Sequence, residues 1–464
     1  MITNTTTIRL EIEKGIRQKG HSLSSFGKLA GINRGIISGI LNGNPPKSIS
    51  IRQLDLMAEA LGHEEGWMYE YYVDECFINE KADWRRIKAF LMRCTEIGRY
   101  DCIQAVLDRL MEDLSNTVSV FGLAEELYED GKVKESIPFY ECVIENEKHQ
   151  HSERLAIAHY RVFRASIGEN TEQNFRAAVR FEPFRDRLPE HFMLDGLLAL
   201  ANLYYVLENW YYLERYGDEL NIISQAIYTE RQKKFKETGF YEPLQAERRL
   251  VVYYGQSYVI KSIALEYLGR YEEAKDYVTK YADLSWFEEL DEVGLKEVAK
   301  FKSFATANMN NLNLLLGDTS KLDAYVSFLL DNPNEILPSL CVILQAANEN
   351  NFSIDNILDK LYSKISLDQD YYEVTASLNR YIDLYYQLAI YHYKKSSYGE
   401  AIDNTIESLR LSIKISNKSK ILDRILIFEQ LRKFATDEHL NHYNTIIEEA
   451  TANEKSLFFF NSST

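Results

Sequence analysis

Paired cysteines are missing from this sequence. The five present (Cys76, Cys94, Cys102, Cys142 and Cys341) are odd in number, far apart and free of any C-x-x-C spacing, so neither a disulfide framework nor a zinc site is expected. Buried, reduced thiols of a cytoplasmic protein are the expectation. Long apolar runs are missing as well. No stretch approaches 18 residues, and the N-terminus "MITNTTTIRLEIEKG" lacks an apolar core followed by a small-residue cleavage site, which excludes a membrane partner and a secretory leader. The short catalytic signatures are absent too: there is no P-loop, no G-x-G-x-x-G and no G-x-S-x-G. His149/His151 and His439/His442 stand without a carboxylate cluster at metal-ligand spacing. No enzyme activity, cofactor or metal is expected.

Net positive charge is confined to the first 62 residues. That segment holds eight of the 53 basic and four of the 70 acidic side chains, a local net of +4, and the remainder carries −21 toward the total of −17. A polyanion is attracted to the first segment and repelled by the rest. What is present in abundance is regular apolar spacing. With 45% hydrophobic and 27% charged residues over 464 positions, the chain is globular and too long for one core, which predicts several domains or an extended array.

Within residues 7–62 the spacing predicts four helices. Ile8, Ile12 and Ile16 share one face, and Gly20 ends that helix. Ser22 caps a second helix with Phe26, Leu29 and Ala30 turned inward, Gly31 turns the chain, and Asn33 caps a third helix carrying Ile37 and Ile40. A fourth buries Ile51, Leu54, Met57, Ala58 and Leu61. Two short helices about a glycine turn, inside a small bundle, make a helix-turn-helix. The order Phe26, Gly31, Ile32, Ile37, Ser38, Ile40, Asn42, Gly43 resembles the lambda-repressor-like (XRE) DNA-binding domain. That resemblance implies a third helix in the major groove, with Asn33, Arg34, Gly35 and Ser38 toward base edges and Arg17, Lys19 and Lys47 on the phosphate backbone. Gly35 and Gly39 leave the reading helix thin, which favours a dimer on two half-sites.

From about residue 82 onward the pattern is helix after helix. "LMRCTEIGRYDCIQAVLDRL", "LAEELYEDGKVKESIPFYECVI", "SIALEYLGRYEEAKDYVTKYA" and "LAIYHYKKSSYGEAIDNTIESL" share a grammar of apolar helix, short turn, aromatic or Val, small residue and second apolar helix. Gly98 and Gly131 are 33 residues apart, close to the tetratricopeptide period, and later turns near Asn209, Gly269, Gly317, Asn351 and Ser397 drift wider. The fold class expected is all-α: a lambda-repressor-like helix-turn-helix bundle over 1–64, a linker helix over 65–84, a right-handed tetratricopeptide-like α-solenoid over 85–452 and a tail over 453–464. Stacked hairpins leave a concave surface. Aligned to the repeat, Asn202, Tyr205, Ala307, Asn311 and Leu314 face it. Carboxamides there suit the backbone of an extended peptide, Tyr205, Tyr254 and Tyr258 suit its side chains, and Arg248 with Arg249 suits its C-terminal carboxylate.

The combined architecture resembles the RRNPP family of peptide-pheromone receptors, including the arbitrium receptors. What the resemblance implies is a homodimeric transcription regulator that binds double-stranded operator DNA and a short signalling oligopeptide, the peptide changing the pitch of the solenoid and hence the spacing of the DNA heads. The aromatic-rich segment 62–84 is then the joint, and Phe458, Phe459 and Phe460 cap the last repeat. The alternative is a tetratricopeptide scaffold that sequesters another regulator and carries a vestigial head.

Overall fold

In a computed structural model, residues 7–78, 81–148, 152–168, 171–365 and 371–460 are described. They divide into two compact units, 1–165 and 166–464. Among them the chain is all-helical apart from one two-stranded ribbon, and no helix is long and apolar enough to cross a membrane. His149, His151 and the side chains of Phe458–Phe460 lie outside the described residues.

The first unit opens with α1 (Ile8–Gln18), α2 (Leu23–Ala30), α3 (Arg34–Asn42) and α4 (Ile51–Leu61). Their ends are set by local chemistry. Ser22 and Ser50 each form a capping box, Asn33 accepts the Gly35 N–H at 2.7 Å, and Gly20, Gly31 and Gly62 turn with positive φ. Ile8, Ile12, Ile16, Phe26, Ile37, Ile40, Leu54 and Met57 form the core as expected. Leu29 does not: it is 55% exposed. Gly27 decides how closely α2 meets α3, because a Cβ there would stand 2.6 Å from the Ile32 carbonyl oxygen.

The segment expected as one linker helix over 65–84 is instead a turn, α5 (Tyr69–Glu75) and an antiparallel ribbon of β1 (Phe77–Ile78) and β2 (Lys81–Ala82). It is cemented on both sides. α6 (Trp84–Ile97) sends Phe90 between Tyr69 and Tyr72, with ring centroids at 5.2 and 4.8 Å. Arg93 bridges Asp55 and Glu65, each at 3.1 Å, while Tyr69 donates to Asp55 at 2.7 Å. Tyr72 donates to the Ile49 carbonyl at 2.9 Å, and Arg9 pairs with Glu75. One apolar core therefore runs from α1 through α7 (Tyr100–Leu110), α8 (Thr117–Glu129) and α9 (Val133–Asn146) into α10 (Glu153–Ser166). Of the aromatics of 62–84 expected to join head to array, Trp67, Tyr69, Tyr72 and Phe77 pack into this core, whereas Tyr71 is 41% exposed.

The second unit continues as α11 (Thr171–Phe181), α12 (Glu190–Val206), α13 (Trp210–Thr238), α14 (Leu250–Tyr267), α15 (Tyr271–Tyr281), α16 (Glu292–Leu315), α17 (Leu322–Asp331), α18 (Ile336–Asn350), α19 (Asp355–Leu361), α20 (Tyr371–Lys394), α21 (Tyr398–Lys414), α22 (Lys418–Leu431) and α23 (Asp437–Phe460). Most neighbours in sequence are neighbours in space, and turns at Gly269, Gly317 and Asn351 carry the positive φ that tight helix connections need. A long-range seam breaks this rule. The Asn379 amide donates to the Val206 carbonyl at 3.0 Å, and Lys420 bridges Glu208 at 2.6 Å and Asp383 at 2.8 Å. These contacts bring α12 against α20 and α22.

Candidate functional site

The cations of the first unit form one candidate surface. Arg9 is structural, holding Glu75 and the carbonyls of Ile40 and Lys47. Lys14, Arg17, Lys19, Lys28, Arg34, Lys47 and Arg52 are exposed. Arg17 leans on Glu13 at 3.2 Å, a surface pair easily exchanged for a phosphate. Lys19 lies against Gly62. Asn33 is occupied as the cap of α3, and Arg34 and Gly35 are exposed beside it with Ser38 half-buried one turn on. Lys47 is drawn onto the same helix: its N–H donates to the Gly39 carbonyl at 2.9 Å, and a Cβ at Gly39 would stand 2.9 Å from its Cδ. The glycine that thins α3 thus makes room for a lysine stem.

The residues expected to line a groove in the second unit separate into three groups. Ala307, Asn311 and Leu314 are buried at 1%, 4% and 2% exposure, and this expectation is corrected. Ala307 and Leu314 are core, and Asn311 accepts from the Tyr325 hydroxyl at 2.8 Å. The partly open stripe of α16 is Thr306, Met309, Asn310 and Asn313, one residue over; a shift of one rotates a helix by about 100°. Tyr254 and Tyr258 face outward toward α13 and α15. Tyr254 sits among Tyr228, Trp286 and Phe287, and Tyr258 accepts from the Gln225 amide at 2.9 Å. Tyr258 helps line a polar cleft of about 150 Å³ with Asp218, Asn221, Lys261 and Lys280. Arg248 is exposed ahead of α14, its N–H donating to Tyr253, and Arg249 pairs with Asp291 at 2.8 Å.

Asn202 and Tyr205 form the third group, both half-buried on α12, with Tyr205 turned toward Arg380 of α20. Tyr205 meets Trp210 edge-on at 6.1 Å, and Trp210 stacks on Tyr267 at 3.9 Å and 8°. The Arg380 guanidinium of α20 stands 5.9 Å from the Tyr205 ring centroid. Tyr267 is 49% exposed, yet its phenol is held well above its usual pKa by desolvation and by Tyr205, Asp383, Glu266 and Cys341. Those groups belong to α12, α20, α14 and α18, so the four helices share one electrostatic neighbourhood around Tyr267. Sequence reading found Tyr205 but not Arg380, Trp210 or Tyr267, whose proximity depends on the α12–α20 seam.

Glu266, at the end of α14, has its carboxyl pushed up to about 7 by burial alone. Its folded pKa lies above the unfolded value of about 4.3, so its contribution to stability is complete below that value and is lost as pH rises through about 7. Melting temperature is therefore expected to fall between pH 5 and 8, and Glu266→Gln to remove part of that slope. Parallel melting profiles for the two proteins across this range would contradict the assignment.

No family model matches the chain, and no curated protein matches it. Among solved structures, a "circular tandem repeat protein with novel repeat topology and enhanced subunit contact surfaces" is similar over 96% of this chain and 90% of that chain, at 11% identity and a TM-score of 0.17. Agreement that slight bears on neither fold nor function.

Proposed function

We propose that this protein is a cytoplasmic, homodimeric DNA-binding transcription regulator whose operator binding is controlled by a short signalling oligopeptide held in its second unit. In this reading α1–α4 are a lambda-repressor-like helix-turn-helix bundle with α3 as the reading helix, and the helical hairpins that follow are a right-handed tetratricopeptide-like solenoid. The observation that carries it is the set of seven exposed cations around α1–α4, with Arg34 at the start of thin α3 and Lys47 packed against that helix from the following loop, in a chain otherwise strongly acidic. The partly exposed aromatic cluster of Tyr205, Trp210 and Tyr267 in the second unit supports a ligand with apolar groups. Because the head shares its core with α5–α9, ligand-driven changes reach it as movements of that whole unit.

The test is retardation of duplex fragments, drawn from the DNA around the coding sequence, by the full-length protein in low salt, about 50 mM. Binding is expected to weaken linearly with log salt. Arg34→Ala is expected to cost about 1–3 kcal/mol on the preferred fragment, and Lys47→Ala to lower the salt slope by about 1 on all fragments. Failure to retard any duplex would favour a scaffold that sequesters another regulator.

A further inference from the structure

The interior of the second unit contains an arginine with no anion. Its other buried and half-buried arginines each have a carboxylate within 4 Å: Arg185 with Glu219, Arg187 with Asp186, Arg231 with Glu289, and Arg424 with Asp383. Arg380 has none among the described residues. Its strongest electrostatic neighbours are the side chains of Tyr205, Tyr267 and Cys341, none of them a carboxylate. Asp383, one turn along α20, is already engaged by Lys420 and Arg424. Glu335 feels the Arg380 charge but makes no ion pair with it.

A desolvated guanidinium without a counter-charge costs free energy, and a planar five-donor fork is preorganised for two parallel hydrogen bonds to a carboxylate. The rings of Tyr205, Trp210 and Tyr267 stand beside it and offer flat apolar area at low entropic cost. We infer that Arg380 is the receiving group for a carboxylate of the ligand, with Tyr205, Trp210 and Tyr267 holding the adjacent apolar part. This rests on the peptide reading above and specifies it: the ligand carries a carboxylate, at its C-terminus or on an acidic side chain, buried between α12 and α20. The sequence-based choice for that role was Arg248 and Arg249; Arg248 lies exposed in the loop before α14 and Arg249 makes a surface pair with Asp291, and neither shows the burial without a carboxylate that singles out Arg380.

The probe is a random hexapeptide pool in three forms: free acid, C-terminal amide, and C-terminal amide with one fixed glutamate. Retention on the full-length protein is read by native mass spectrometry. The acid pool is expected to be retained at least tenfold better than the plain amide pool if the C-terminus is the anchor, and the glutamate-amide pool to recover retention if a side chain is. In either case Arg380→Gln is expected to abolish the preference and Arg380→Lys to keep part of it, at unchanged helical content by circular dichroism. Should Arg380→Gln fail to fold, Arg380→Lys and Tyr267→Ala take its place, both with reduced retention expected. Equal retention of all three pools by the unsubstituted protein would overturn the carboxylate anchor and leave a peptide site. Retention of none would overturn both.

Discussion

Phe90→Ala is expected to destabilise the first unit by about 3–5 kcal/mol, and to loosen the head and the first hairpin together. Phe90 is fully buried, and both of its ring partners, Tyr69 and Tyr72, belong to α5 between the head and α6. Those tyrosines are in turn hydrogen-bonded to Asp55 and to the Ile49 carbonyl. Removing the ring leaves a cavity at the centre of the joint, and collapse into it would break buried hydroxyl contacts as well as packing. Hydrogen exchange on the full-length protein distinguishes this from a local effect. Protection is expected to fall in α4, α5 and α6 by comparable factors. Loss confined to α6, with α1–α4 as protected as before, would mean that the head has a core of its own and that the joint is soft.

Lys420→Met is expected to cost about 3 kcal/mol, concentrated at the α12–α20 seam. The Lys420 ammonium is 7% exposed and is held by Glu208 at 2.6 Å and Asp383 at 2.8 Å. Methionine fills nearly the same volume, so the loss comes from the charge. Glu208 would remain without its cation and Asp383 would keep only Arg424 at 3.7 Å, and the partial exposure of both carboxylates keeps the cost at the lower end for a broken buried pair. Burial already raises the Glu208 pKa even with Lys420 beside it. A raised carboxyl costs least when protonated, so the deficit of the variant is expected to shrink as pH falls from 8 toward 5. Adding Glu208→Gln is expected to restore part of the stability. A deficit under about 1 kcal/mol at pH 8, or one unchanged by pH, would show that the seam is held by packing alone.

Much of the head was legible because its signals are local. Gly20, Ser22, Gly31 and Asn33 act on backbone groups within five residues, and the structure places each at the helix end its chemistry suits. Leu29 was misplaced because an eight-residue helix offers barely two turns of periodicity, and the tight approach of α2 to α3 at Gly27 settles which side faces in. The α16 stripe was misplaced for the opposite reason. Over 24 residues that helix carries apolar and amide side chains on most faces, so a one-residue slip leaves the pattern almost as plausible.

The sequence by itself determined that this protein is helical, where most helices end and that the first 62 residues carry a net positive charge while the rest is acidic, because those properties depend on neighbours a few positions apart and on composition. Only the tertiary structure decided that the head is fused to the first hairpins, that Asn311 is a core residue, and that Arg380 stands among aromatics with no carboxylate paired to it among the described residues. Those facts depend on contacts between residues up to 173 positions apart, as in the Asn379 to Val206 hydrogen bond, and no local pattern encodes which distant helices meet.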